Sequence, residues 1–138
     1  MTQRLKRVGD IMTRDVVTVN QNDKLVSADD VMRLGRVRHL PVVDDDGALA
    51  GIVSQRDLFH GGLLRALGYG TRARGQALDL LWVKDAMHNE VVTTSAETAL
   101  SDAARVMLER KLGCLVVVDS GQIVGILTEA DFVKQALE

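Results

Sequence analysis

Between Lys24 and Gly35 the apolar residues fall at Leu25, Ala28, Val31 and Met32. That spacing of three and four predicts a helix with one buried face. Shorter runs flank it. Val16 to Val19 is β-branched and predicts a strand, His39 to Val43 predicts a buried strand, and Leu49 to Val53 predicts another. Asp44-Asp45-Asp46-Gly47 separates the last two and is a turn signal, so they are expected to form a hairpin. A further helix is expected from Ser54. The order is strand–helix–strand–strand–helix. The same order is predicted again from Val91 to Thr94, Ala99 to Arg110, Cys114 to Val118, Ile123 to Leu127, and Thr128 onward.

The two halves are an internal repeat in residue identity as well as in pattern. Val8, Asp10 and Met12 recur as Val83, Asp85 and Met87, a spacing of 75 (83 − 8). Val16-Val17-Thr18 recurs as Val91-Val92-Thr93, and Leu25, Ala28, Val31 and Met32 as Leu100, Ala103, Val106 and Met107. After the turn the spacing drops to 74 (125 − 51), and Gly51 and Asp57 recur as Gly125 and Asp131.

Each copy closes on one short motif, GIVSQRD from Gly51 to Asp57 and GILTEAD from Gly125 to Asp131. It reads as the end of a buried strand handing over to the first turn of a helix. Free backbone N–H groups at such a junction attract anions, phosphate included. Ser54-x-x-Asp57 and Thr128-x-x-Asp131 also fit a capping box, which starts a helix and needs no ligand. Two copies, each ending a similar longer stretch, turn the balance towards a site. The capping role and a ligand-facing role are compatible.

Composition narrows the class. The chain has 138 residues, 46% of them hydrophobic but only 3% aromatic, so its core is aliphatic. A net charge of −2 argues against a nucleic-acid binder. Cys114 is the single cysteine, which excludes an internal disulfide and fits a reducing compartment. MTQRLKRVGD at the N-terminus has no apolar run of the signal-peptide kind, and no stretch is apolar for long enough to span a membrane. A cytoplasmic protein is expected.

The ordered set, V-x-D-x-M, a β-branched run, an amphipathic helix, an apolar strand ending in Val-Asp, then G-h-h-[S/T]-x-x-D, all found twice, resembles a tandem pair of cystathionine β-synthase (CBS) domains, or Bateman module. The resemblance runs from Val8 to about Phe59 and from Val83 to the C-terminus. It implies an α/β fold of the α+β kind: two pseudo-twofold-related βαββα units with small mixed sheets flanked by helices. The units would take residues 1–60 and 83–138, joined by a partly helical linker over 61–82. It also implies two clefts between the CBS units that bind adenosine-containing ligands such as AMP, ADP, ATP or S-adenosylmethionine. On that pattern Asp57 and Asp131 accept hydrogen bonds from the ribose hydroxyls, and Ser54 and Thr128 lie near the phosphate. Thr18, Pro41 and Thr93 join the expected nucleotide-binding set. The resemblance further implies a homodimer formed through the helices after each third strand, which here carry Phe59, Leu63 and Leu67, and Phe132, Val133 and Leu137.

The two copies differ where the family often places phosphate-contacting basic residues. The first has Arg38-His39-Leu40-Pro41 and the second Gly113-Cys114-Leu115-Val116, while Arg56 corresponds to Ala130. Arg38, His39 and Arg56 are therefore candidates for the phosphate end of one site, with solvated surface charges as the plain alternative. No nucleophile–base–orienter set is apparent, so no catalytic residue is expected. His39, His60 and His88 show no metal spacing, and no metal or required cofactor is expected. The reading is a regulatory module that senses an adenine nucleotide and acts on an unidentified effector protein. The rival readings are a structural or dimerisation module with empty clefts, and an S-adenosylmethionine binder.

Overall fold

The computed structural model describes residues 6–60 and 80–137. The expected linker lies mostly outside them, as do Leu63 and Leu67. The chain divides into two compact units. One is continuous, Val17–Val91; the other is composite, Met1–Val16 with Val92–Glu138.

In the continuous unit β1 (Val19–Asn20), β2 (His39–Val43) and β3 (Leu49–Ser54) form a sheet in the order β1-β2-β3, parallel then antiparallel. Helix α2 (Leu25–Gly35) joins β1 to β2 and buries Leu25, Ala28 and Met32, the stripe its spacing predicts. It stops at Arg36, which adopts the left-handed conformation at φ 53°. The Asp44 side chain organises the hairpin turn by accepting from Asp46 N and Ala48 N at 2.9 and 3.0 Å, so the acidic run serves the turn. After β3 the chain is helical over 55–60 (α3). Leu25, Leu40, Val42, Val53, Leu58 and Val83 are almost wholly buried together.

The composite unit repeats this with β4 (Thr93–Thr94), α5 (Leu100–Arg110), β5 (Cys114–Asp119), β6 (Gln122–Thr128) and α6 (Glu129–Gln135). Its sheet has the order β4-β5-β6. Its core holds Val8, Ala103, Met107, Leu115, Val117 and Leu127. Each unit is thus a small mixed three-stranded sheet flanked by helices. The edge strands β1 and β4 are two residues each, shorter than the runs Val16–Val19 and Val91–Thr94 predict. Val17 is exposed, and a β-branched residue with no partner strand gains nothing from extended pairing.

The V-x-D-x-M segments fold as one-turn helices, α1 (Val8–Ile11) and α4 (Val83–Ala86), and each docks on the strands of the other repeat. Val8 N donates to Thr98 O and Gly9 N to Ala96 O, both at 2.9 Å. Val83 N donates to Asp23 O at 2.8 Å and Lys84 N to Gln21 O at 3.0 Å. Val8 and Val83 are fully buried, while Asp10 and Asp85 accept from the backbone N–H of Arg7 and Trp82 at 2.8 and 2.9 Å and so start each turn.

Candidate functional site

At each motif glycine the docked segment presses against the strand. A Cβ on Gly51 would lie 2.7 Å from His88 O and 2.8 Å from Met87 Sδ; one on Gly125 would lie 2.6 Å from Met12 Sδ and 3.1 Å from Thr13 O. Backbone pairs Ile52–His88 and Thr13–Ile126 then fix the residue after each Met beside the strand-to-helix junction.

At the first junction Ser54 ends β3 and Asp57 stands in the first turn of α3. Asp57 Oδ2 accepts from Ser54 N at 2.7 Å and from Ser54 Oγ at 2.9 Å, and Asp57 N donates back to Ser54 Oγ at 3.2 Å. The capping box expected from the sequence is therefore formed. Asp57 Oδ1 takes a further bond from His88 Nε2 at 2.8 Å. A carboxylate facing Nε2 repels a nitrogen lone pair, so this nitrogen carries the proton and donates.

The second junction has the same construction. Asp131 Oδ2 accepts from Thr128 N at 2.9 Å and Thr128 Oγ1 at 3.3 Å, and Oδ1 accepts from Thr13 Oγ1 at 3.0 Å. Asp131 is the one charged residue buried among those described, at 4% exposure, and its three donors account for that.

Around Asp57 the structure gathers most of the first copy's candidates. His39 pairs with Ser54 across β2 and β3, and Arg38 O accepts from Gln55 N at 2.9 Å, which sets both residues at the junction end of the sheet. Arg56 is exposed on the first turn of α3. Pro41 is buried in mid-strand opposite Ile52, farther along β2. In the second copy Cys114 pairs with Thr128, and Gly113 O accepts from Glu129 N at 3.3 Å. Thr93 lies on edge strand β4, separated from β6 by β5; Thr18 is exposed just before β1, with β2 between that strand and β3. These two are not brought to the motif strand. Burial pushes the Cys114 thiol up to about 12, as suits an inert packed cysteine.

Sequence reasoning missed Thr13 and His88. Both directly follow the motif Met, at the same position of the two repeats, and that shared position was the available signal. Among the described residues no group of His, Cys, Asp and Glu is placed to hold a metal ion, and no helix is long and apolar enough to cross a membrane.

Comparison with known proteins places this architecture. The CBS domain family model matches residues 8–62 and 83–138. The chain is 31% identical to protein MJ1404 of Methanocaldococcus jannaschii over 93% of its own length, and 28% identical to inosine-5'-monophosphate dehydrogenase of the same organism over 96%. It spans only 31% and 24% of those two proteins. Among solved structures it is similar to CBSX2 of Arabidopsis thaliana in complex with AMP, at 32% identity over 96% of both chains and a TM-score of 0.75. Each matched stretch holds one copy of the junction of glycine, capping hydroxyl and carboxylate, and together they take in most of the sequence: the chain belongs to the CBS domain family.

Proposed function

We propose that the chain is a regulatory module that binds adenosine-containing nucleotides, AMP, ADP or ATP, at its two motif carboxylates and acts through a partner protein. CBS-pair proteins are generally regulatory rather than catalytic. The observation that carries the ligand class is the similarity to CBSX2 in complex with AMP along nearly the whole chain. The geometry agrees with it. Asp57 and Asp131 present carboxylate oxygens at a strand-to-helix junction, and a carboxylate suits two neighbouring sugar hydroxyls. The sites are unequal in this reading. Arg38, His39 and Arg56 stand by Asp57, whereas Gly113, Cys114 and Ala130 stand by Asp131, so a phosphorylated ligand prefers the Asp57 site. The module acts as a homodimer, with Phe59 and Val133 at matching positions of the repeat and 53% and 68% exposed.

One observation favours a second reading, in which both aspartates are caps alone: each is already bonded by the protein's own donors. Calorimetric titration of AMP, ATP and S-adenosylmethionine into wild type, Asp57→Ala and Asp131→Ala separates the two. The nucleotide reading expects tight AMP binding that Asp57→Ala weakens by roughly ten- to a hundredfold, because bonds to a charged acceptor are worth about 1.5–3 kcal/mol. Each variant also loses about 1 kcal/mol of stability with its cap. Stability loss with AMP binding unchanged leaves the cap reading standing.

A further inference from the structure

We propose that His88 sets the sugar selectivity of the Asp57 site by competing with a vicinal diol for the carboxylate. The inference rests on the nucleotide reading above and concerns which part of the ligand that site rewards.

A carboxylate offers about four acceptor positions, two on each oxygen. Ser54 N and Ser54 Oγ fill both positions on Asp57 Oδ2. The Ser54 hydroxyl is fixed at both ends, since its oxygen accepts from Asp57 N at 3.2 Å. His88 Nε2 takes one position on Oδ1. One position remains. A nucleotide with 2′- and 3′-hydroxyls brings two donors to it, so one hydroxyl lacks an acceptor until His88 leaves. The His88 side chain is 68% exposed against 12% for Asp57, so it is the donor free to swing into water.

The second site makes the role of His88 specific. Thr13 holds Asp131 Oδ1 from the equivalent position at 3.0 Å. A hydroxyl can turn its proton away and accept in place. A protonated ring nitrogen cannot, and it also blocks the carboxylate by its bulk. The two sites therefore share one scaffold but charge a ribose differently for contact with the aspartate.

The test uses the full chain, with AMP and 2′-deoxy-AMP titrated into wild type, His88→Ala and His88→Thr. The backbone bonds between His88 and Ile52, at 2.9 and 3.0 Å, survive both changes, so both variants keep the docked segment. His88→Ala is expected to tighten AMP by about tenfold, the worth of one hydrogen bond to a charged acceptor, and to leave 2′-deoxy-AMP within about twofold. His88→Thr is expected to fall on the same side, importing the arrangement found at Thr13. Equal gains for both ligands, or weaker AMP binding in His88→Ala, overturn the inference while leaving nucleotide binding in place. No AMP binding by wild type or either variant removes the nucleotide reading, and the inference with it.

Discussion

Replacing Gly51 with alanine tests how tightly the Met87-His88 segment grips the strand. The new Cβ would stand 2.7 Å from His88 O and 2.8 Å from Met87 Sδ. A methionine tail can move aside cheaply. The carbonyl cannot, because His88 exchanges two backbone bonds with Ile52, at 2.9 and 3.0 Å. Overpacking of this kind costs about 1–3 kcal/mol, and the stiffer unfolded chain offsets about 0.4–1 kcal/mol of it. A net loss of about 1–2 kcal/mol lowers Tm by roughly 4–8 °C at this chain length. Gly125→Ala should cost less, since the nearest carbonyl there is 3.1 Å away and the 2.6 Å contact is a methionine sulfur. Gly35→Ala is the control of opposite sign. Its Cβ meets only Val37 Cγ2 at 3.7 Å at the end of α2, so helix propensity should raise Tm by about 2–4 °C. Thermal melts by circular dichroism at matched concentration read all three. Gly51→Ala melting with wild type or above it would refute the steric reasoning.

The proposed homodimer should appear by light scattering at micromolar concentration, and Val133→Asp, which charges an exposed helical position, should shift the mass towards a monomer; an unchanged mass removes Val133 from the interface. Cys114 should alkylate slowly at pH 8.5 in the native protein and rapidly in denaturant, as expected of a thiol raised from 9.0 to about 12 by burial. The same shift has a stability sign. Above about pH 9 the unfolded chain releases this proton while the folded chain keeps it, so the contribution of Cys114 to stability falls between about 9 and 12. A melting-temperature difference between wild type and Cys114→Ala that moves in favour of wild type over that range would contradict the burial of the thiol.

The helices α2 and α5 were legible because their stripes report burial directly: Leu25, Ala28 and Met32 in one, Ala103 and Met107 in the other. The motif Ser54-x-x-Asp57 announced its own box, since both partners lie within one turn. What could not be read was partnership across the chain. Val8 and Val83 look alike in sequence, and nothing in a periodic pattern says that each leaves its own repeat and packs with the other copy's strands. Thr13 and His88 were overlooked for that reason. Their partners are the aspartates of the opposite repeat, 118 and 31 residues away. The β-branched Val16 and Val17 overstated the edge strand, because propensity cannot show where a neighbouring strand ends.

That exchange of segments gives the two carboxylates different histories during folding. The bond from His88 to Asp57 closes a chain interval of 31 residues, and the bond from Thr13 to Asp131 one of 118. By the logarithm of loop length, the second closure costs about 1 kcal/mol more conformational entropy for a similar contact. Synthesis widens the gap. All of Val17–Val91 exists once residue 91 has been made, so that unit can form while the chain is still growing. Val8 and Thr13 are made before that unit but have no binding face until Val92–Glu138 follows. Val8 and Thr13 wait for residues made after the whole continuous unit, so the Asp131 junction is completed later than the Asp57 junction.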